Sequence, residues 1–318
     1  MSNKSLKLLL QRIYFYLSYI IDLLSLAKSM KIKPKKKKIL WLLKSASLLV
    51  KYSQKAKPRE IPISHLESDI WNQMNKLLRL NVKYLTLPGI IRSPILETVT
   101  SPHLLSYKID LELESNVSRI NATQLYSNIF GIEEKKFYNG LNYYLAILCK
   151  LFDRKDFNNL RKYNVLEIGP GLGILDLFFH LEGAKLYSFE TAEMRFLQSL
   201  ISKEIKKIDA SNNFNFNDYS SLKEPFGVVS FFAFTEMDLA TRRSLMSTIV
   251  RADWVVIVSN YSFEDIDNFD YLENTFRDKF QLANRFKLED LEILDMPNFS
   301  KQHEAFYFIR RPYNLSAT

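Results

Sequence analysis

From Asn164 onward the chain alternates between short apolar runs and longer segments in which apolar residues recur at helical spacing. Short apolar runs are typical of strands buried on both faces, and the longer period is typical of amphipathic helices. Strands are predicted over 164–168, 184–189, 213–217, 227–232, 254–258, 288–294 and 305–310, and helices over 174–181, 194–208 and 238–250. This alternation predicts an α/β fold in which seven strands form a parallel sheet with helices on both faces.

The chain before Asn164 has a different pattern. Two apolar segments, Leu6–Ala27 and Ile39–Tyr52, are separated by the basic run Lys31–Lys38. Further on, apolar residues at helical spacing predict a helix over 137–152. We therefore predict a basic and apolar helical N-terminal segment (1–57), a mostly helical subdomain on the substrate side (58–155) and a ligand-binding α/β domain (156–318).

The composition limits the classes of protein that fit. The chain has 318 residues, of which 47% are apolar, and this excludes a disordered or collagen-like chain. Its single cysteine, Cys149, excludes an internal disulfide and a cysteine-based zinc site. A reducing, cytoplasmic setting is expected.

The net charge of +9 is unevenly distributed. Residues 1–60 contain 15 Lys or Arg and two acidic residues, a charge of +13. The remainder is slightly acidic, unlike the basic face that a nucleic-acid enzyme presents, so we expect no nucleic-acid partner.

Two interpretations of the N-terminal segment stay open. Apolar helices beside a lysine cluster suit the surface of an anionic membrane, which would place the protein at the inner face of the cytoplasmic membrane through residues 1–55. Alternatively, the helices pack on the body and the lysine run is a solvated loop. Leu6–Ala27 does not predict a spanning helix, because charged and polar residues such as Arg12 and Asp22 interrupt it.

The most informative segment is a glycine-rich loop between the first strand and the first helix of the alternating region. Glu167 lies near the end of the strand, and Gly169, Gly171 and Gly173 follow. Glycine allows a tight turn and the close approach of a ligand, and the helix offers free backbone N–H groups. A dinucleotide fingerprint fits poorly, because its third small residue would be Ile174. An acid at 167 is better placed to interact with a cationic ligand, such as the ammonium group of an amino acid.

A second acid supports a ligand that contains a ribose. Glu190 follows the second strand, 17 residues after Gly173. A carboxylate at this strand end can accept hydrogen bonds from both ribose hydroxyls. Taken alone, Glu190 could be an exposed strand-end charge or the N-terminal acid of a helix. Its position after the glycine loop favours ribose binding.

The pattern Glu167-x-Gly169-x-Gly171-x-Gly173 resembles the first motif of class I S-adenosylmethionine-dependent methyltransferases. The resemblance implies a Rossmann-like methyltransferase sheet and S-adenosylmethionine as the cofactor, with S-adenosylhomocysteine as its product. It also implies that Asp218, after the third strand, faces the adenine, although ordinary turn chemistry explains this residue too. The carboxyl ends of the strands, where such sheets bind ligands, carry Glu167, Glu190, Asp218, Glu236 and Asn260.

The end of the fourth strand bears on the methyl acceptor. Enzymes that methylate nucleic-acid bases carry an Asn-Pro-Pro-Tyr type element there, whereas this chain has Ala233–Glu236 without proline. Methylation at C5 of a pyrimidine needs a cysteine nucleophile, and Cys149 lies on a helix predicted before the glycine loop. Base methylation is therefore disfavoured, and Glu236 would suit a general base for a hydroxyl.

A further resemblance narrows the acceptor. Phe234–Met237, Val258–Tyr261, Tyr138–Gly173 and a histidine before the last strand, His303, are similar to the bacterial family of sugar O-methyltransferases. The similarity covers about residues 130–310. It implies methyl transfer to a sugar hydroxyl in surface glycan or polysaccharide biosynthesis, with a glycan or other sugar-containing acceptor as the partner.

Glu236 and His303 are the candidates for the catalytic base, and Asn260 and Tyr261 are candidates for lining the acceptor pocket. Glu236 could instead be a helix-initiating acid, and His303 a packing histidine. We see no metal-ligand cluster, so no metal is indicated. Two other functions stay open: methyl transfer to a lipid or other small metabolite, and a non-catalytic cofactor-binding module that docks at a membrane or in a complex.

Overall fold

The structure is a computed structural model that describes residues 20–21, 51, 59–63, 69–93, 96, 116–152, 163–212, 214–263, 265–291 and 303–311. The predicted segment 1–57 lies almost wholly outside these described residues, and both of its interpretations stay predictions. The boundary predicted at 155/156 lies outside them as well. Within the described ranges, no helix combines the length and the apolar character needed to cross a membrane.

The strands form a central sheet and a small two-stranded one. They are β1 (Asn164–Ile168), β2 (Lys185–Phe189), β3 (Asn217–Asp218), β4 (Phe226–Phe231), β5 (Trp254–Asn260), β6 (Ser262–Phe263), β7 (Ile266–Asp267), β8 (Phe280–Lys287) and β9 (His303–Arg310). The central sheet has seven strands in the order β3-β2-β1-β4-β5-β9-β8, and β6 pairs with β7. Strands β1 to β5 pair in parallel, and β9 runs antiparallel to both β5 and β8. The predicted seven-stranded, methyltransferase-like α/β sheet is confirmed.

Eight helices occur in the described ranges. They are α1 (Asp69–Tyr84), α2 (Leu87–Ile91), α3 (Asn116–Phe130), α4 (Glu134–Leu151), α5 (Ile174–Leu181), α6 (Ala192–Ile208), α7 (Leu239–Ile249) and α8 (Asn268–Phe276). Side chains of Thr191, Asp238 and Asp267 accept hydrogen bonds from the first backbone N–H groups of α6, α7 and α8. These residue types favour helix starts because they satisfy otherwise unpaired donors.

Alternate residues of the central strands face opposite sides of the sheet. In β5, Val256 and Val258 belong to one core cluster, and Val255 and Ile257 belong to the other. The first cluster contains residues of α1 to α6, and the second contains residues of α7 and α8. Burial on both faces explains why β4 and β5 are continuous apolar runs, and the predicted helices on both faces are confirmed.

The helices before the sheet share its core. Tyr144 of α4 packs edge-on against Phe231 at the end of β4, with ring centroids 4.6 Å apart. Phe152 packs against Trp254 of β5 at 5.3 Å. The region predicted as a helical subdomain therefore contributes side chains directly to one face of the sheet.

Two predicted strands need correction. The third strand, predicted over 213–217, is only two residues long. The strand predicted over 288–294 is displaced, because Leu288–Asp290 forms a short 3₁₀ turn and the edge strand is β8, immediately before it. Strand β8 does not show an alternating pattern, since its pairing with β9 shifts between Leu282 and Asn284, and Leu282 is exposed.

Gly227 in β4 leaves no room for a side chain. A Cβ atom there would lie 2.0 Å from Cε2 and Cζ2 of Trp254 on the neighbouring strand. We expect Gly227→Ala to lower the free energy of unfolding by about 1–3 kcal/mol, because the ring has to shift within a packed core. Denaturant unfolding measures the change. In a Trp254→Leu background the same substitution should cost less, and an equal cost in both backgrounds would contradict this explanation.

Candidate functional site

The glycine loop joins β1 to α5 where the strand order reverses. Strand β1 has β2 on one side and β4 on the other, and such a reversal opens a crevice at the carboxyl ends of the strands. Gly169, Gly171 and Gly173 have φ angles of 71°, 57° and 73°. Residues with a Cβ rarely adopt this left-handed conformation, so the backbone requires glycine at these positions.

Side chains from two helices hold the loop. The hydroxyl of Tyr126 in α3 donates to the carbonyl of Leu172 at 2.5 Å, and Nε2 of Gln198 in α6 donates to the carbonyl of Gly171 at 2.8 Å. Both side chains are buried. Sequence reasoning missed them, because neither lies near the loop in the sequence and neither belongs to a recognisable motif.

The loop after β1 lies against the segment that follows β4. A Cβ atom at Gly169 would lie 2.1 Å from the Cβ of Ala233, and one at Gly173 would lie 2.1 Å from the Phe216 ring. Gly169 therefore allows the loop after β1 to pack directly against the segment that follows β4.

Glu190 lies at the end of β2 against the glycine loop. Its Oε2 accepts a hydrogen bond from the Gly171 N–H at 3.2 Å, and its Oε1 accepts one from the Thr191 N–H at 2.9 Å. Burial raises the pKa of Glu190 to about 7, although both hydrogen bonds favour its charged form. The structure thus brings the carboxylate and the glycine loop together.

Beneath the loop lies an acid that sequence reasoning missed. Glu167 of β1 and Asp176 of α5 are 4% and 2% exposed, and each influences the pKa of the other. Burial, followed by the negative charge of Asp176, raises the pKa of Glu167, and burial raises that of Asp176 to about 7. Two neighbouring buried acids with raised pKa values favour a state in which they are not both charged. The available signal was one acid in the first turn of an otherwise apolar helix.

Asp218, at the end of β3, is engaged by protein groups. One carboxylate oxygen pairs with Arg195 of α6, and the other accepts from the Ser220 N–H at 2.9 Å. The second contact caps the 3₁₀ turn Tyr219–Ser221. Its role at the adenine stays a prediction.

Three predicted acceptor-side residues meet across the crevice. Glu236 ends the 3₁₀ turn after β4, Asn260 ends β5 and His303 begins β9. Asn260 and His303 are directly opposite in the antiparallel pair, which places their side chains on one face. Nδ2 of Asn260 donates to Oε1 of Glu236 at 3.3 Å. The structure therefore places one candidate base in hydrogen-bond contact with Asn260 and the other opposite Asn260 on the neighbouring strand.

Burial shifts both candidate bases toward their uncharged forms. It raises the pKa of Glu236 to about 7 and lowers the pKa of His303 from its usual value. Groups that titrate near neutral pH are suited to proton transfer in an active site.

Phe232, between β4 and this turn, has an uncommon backbone conformation, with φ 69° and ψ −37°. Such a conformation costs a bulky residue on the order of 1–3 kcal/mol and is concentrated at functional sites. The Phe232 ring packs edge-on against the His303 ring at 5.0 Å, and its carbonyl accepts from the Glu236 N–H at 3.1 Å. Phe232 therefore supports both candidate bases, and nothing in the sequence signals its positive φ.

Helix α1 reaches the same turn. Nε1 of Trp71 donates to the backbone carbonyl of Glu236 at 2.7 Å, and Arg79 pairs with Glu193 of α6 at 3.0 Å. A helix from the region before the sheet thus covers the segment that carries Glu236.

Tyr261 lies at the surface, with half of its side chain exposed. Its ring packs against Phe269 at 5.3 Å, and its hydroxyl is in hydrogen-bond contact with Asp267, which raises the pKa of Tyr261. Its place in an acceptor pocket stays a prediction.

No protein-family model and no curated protein matches the chain. Among solved structures, it is similar to magnesium protoporphyrin IX methyltransferase from Synechocystis with bound S-adenosylmethionine, at 13% identity, 64% of this chain and 100% of that chain covered, and a TM-score of 0.39. It is also similar to a Thermoplasma acidophilum protein, at 15% identity. The match covers 62% of this chain and 98% of that chain, with a TM-score of 0.37. It is similar as well to an S-adenosylmethionine-dependent methyltransferase from Aquifex aeolicus, at 13% identity. The match covers 51% of this chain and 91% of that chain, with a TM-score of 0.33. The α/β, methyltransferase-like fold itself rests on the strand order and register of this chain.

The raised pKa of Glu236 makes stability depend on pH. Because its pKa is about 7 in the folded protein and about 4.3 when unfolded, stability falls as pH rises from the lower to the higher value. We expect Glu236→Gln to raise the free energy of unfolding by about 1–2 kcal/mol at pH 8, and by less at pH 5. Denaturant unfolding at both pH values measures this, with the exposed Glu224→Gln as the matched control. An equal effect at both pH values would contradict the raised pKa.

Proposed function

We propose that the protein is an S-adenosylmethionine-dependent methyltransferase that acts on a sugar hydroxyl. The observation that carries the proposal is the position of Glu190 at the crevice. Its carboxylate is hydrogen-bonded to the backbone of the glycine loop, through the Gly171 N–H at 3.2 Å. A carboxylate at the end of the second strand of such a sheet is suited to bind both ribose hydroxyls.

The acid pair beneath the loop suits the amino-acid end of the cofactor. Glu167 and Asp176 are both buried, and burial raises the pKa of each, so both can hold a proton near neutral pH. An ammonium group beside them would favour their charged forms and release that proton. The glycines leave the loop surface without Cβ atoms, so a ligand can approach its backbone closely.

The acceptor side suits a hydroxyl. When bound, the cofactor supplies a methyl group already activated by a cationic sulfur. The protein then has to orient the acceptor oxygen and remove its proton. Glu236 has a pKa near neutrality and His303 is biased toward its neutral form, so either can accept that proton. Phe232 fixes the ring of His303 by an edge-on contact.

The choice of a sugar as the acceptor is supported by resemblance. Phe234–Met237 and Val258–Tyr261 are similar to the sugar O-methyltransferase family, and the first of these segments contains Glu236. Within the described ranges, no group of three or more His, Cys, Asp or Glu side chains is placed to hold a metal ion. We assign orientation and proton removal to Glu236, His303 and Asn260.

Binding of S-adenosylmethionine and S-adenosylhomocysteine, measured by calorimetry, tests the cofactor. We expect the wild type to bind both, and Glu190→Ala to raise the Kd about tenfold or more, because hydrogen bonds to a charged group are lost. Glu204→Ala, which removes an acid from the surface of α6, is the control and should leave the Kd unchanged. Absence of binding by folded wild type would reject the proposal, and an unchanged Kd in Glu190→Ala would reject the ribose contact.

Methyl transfer from labelled S-adenosylmethionine to nucleotide sugars and lipid-linked saccharides tests the acceptor. We expect Glu236→Gln to lower kcat by about 100-fold, as is typical for the loss of a general base, with the cofactor Kd unchanged. Product analysis identifies the methylated oxygen. Cofactor binding without transfer to any sugar would reject the sugar acceptor while leaving the cofactor assignment intact.

A further inference from the structure

Arg242 of α7 is fully buried next to the turn that carries Glu236. Its Nε donates to the Met237 carbonyl at 2.9 Å, and one of its terminal nitrogens donates to the Thr235 carbonyl. These carbonyls belong to the residues on either side of Glu236. One guanidinium group thus holds the backbone on both sides of the candidate base.

A third donor of Arg242 begins a chain of side-chain hydrogen bonds. It donates to Oδ1 of Asn268 at 2.9 Å, and Nδ2 of Asn268 donates to Oδ1 of Asn260 at 2.9 Å. Nδ2 of Asn260 then donates to Oε1 of Glu236 at 3.3 Å. Asn268 is fully buried like Arg242, whereas Asn260 and Glu236 are partly exposed at the crevice. This chain of hydrogen bonds therefore runs from the core to the candidate active site.

The guanidinium group of Arg242 fixes the direction of this series of hydrogen bonds. A guanidinium group can only donate, so it must face the oxygen of Asn268. The amide nitrogen of Asn268 then faces the oxygen of Asn260, whose own nitrogen is left to face the carboxylate. An ionised carboxylate can only accept, so every link is satisfied while Glu236 is charged.

We propose that Arg242, Asn268 and Asn260 are positioning residues that hold Oε1 of Glu236 as a hydrogen-bond acceptor and leave Oε2 to take the proton of the acceptor hydroxyl. This inference rests on the proposed function, because only a methyl acceptor gives Oε2 a proton to take. The hydroxyl oxygen forms its bond to the methyl carbon as the carbon–sulfur bond breaks, with that electron pair remaining on sulfur. The hydroxyl proton moves to Oε2, so the carboxylate and the cationic sulfur both become neutral.

The chain of hydrogen bonds also limits how far burial can raise the pKa of Glu236. Burial disfavours its charged form, whereas a donor at Oε1 favours that form. The neighbouring elements carry Arg242 on α7, Tyr271 on α8, whose ring centroid lies 4.9 Å from the Arg242 guanidinium, and His303 on β9, which faces Asn260 across the strand pair. Loss of the amide donor should therefore raise the pKa of Glu236 further without changing any of these groups.

A carbon-13 NMR titration tests the chain in the protein labelled at the side-chain carboxyl carbon of glutamate. The resonance of Glu236 is identified by its loss in Glu236→Gln. We expect Asn260→Ala to raise the pKa of Glu236 by about one unit, as for the loss of one hydrogen bond to a charged group. Asn268→Ala should raise this pKa by less, because Asn260 then loses the donor that orients its amide. Asn274→Ala, on the exposed side of the same helix α8, is the matched control and should leave this pKa unchanged.

The possible outcomes separate the parts of the proposal. A pKa of Glu236 that is unchanged in both folded variants overturns it. A rise in Asn260→Ala alone, with Asn268→Ala folded and unchanged, shows that Asn260 acts by itself and overturns the role of the longer chain. If Asn268→Ala fails to fold, Asn268→Ser is titrated in its place, because serine still fits the buried site but cannot bridge Arg242 and Asn260. The titration needs neither cofactor nor acceptor, so its failure is distinguishable from a failure of cofactor binding.

Discussion

The left-handed backbone between β1 and α5 is the constraint on which the candidate site depends. It turns the chain within a few residues, so that the N–H of Gly171 faces Glu190 while the carbonyls of Gly171 and Leu172 face Gln198 and Tyr126. It also lets Ala233 approach Gly169 more closely than any side chain would permit. With a Cβ atom at Gly169, the loop after β1 could not pack this closely against the segment that follows β4.

The buried acids of the site are held mainly by uncharged partners. Backbone N–H groups hold Glu190, an amide holds Glu236, and the buried Glu167 lies near a second buried acid, Asp176. Uncharged donors fix a carboxylate without neutralising it, so its charge remains available to a cation or a proton. This arrangement fits the proposed reaction, which begins with a cationic methyl donor and ends with the loss of a proton from the acceptor.

Local sequence was enough to predict the glycine loop and the position of Glu190, because short segments of the chain determine strand, turn and helix. The approach of Glu236, Asn260 and His303 follows from their placement at strand ends. Strand β8 was misplaced because an edge strand with a register shift has no clear period. Asp176, Arg242 and Trp71 were missed because their roles depend on contacts between distant segments, such as the 165 residues that separate Trp71 from Glu236.

The hydrogen bond from Tyr126 to Leu172 has a consequence for how such a protein can be inherited. The tyrosine lies on a helix that precedes the whole sheet, and its neighbour Phe137 on the next helix packs against it at 5.6 Å. If the sheet were joined to other sequences without these two helices, the glycine loop would lose its hydrogen bond from Tyr126. One face of β4 would lose the side chains that pack on it. The helical pair and the sheet should therefore recombine as one block during evolution.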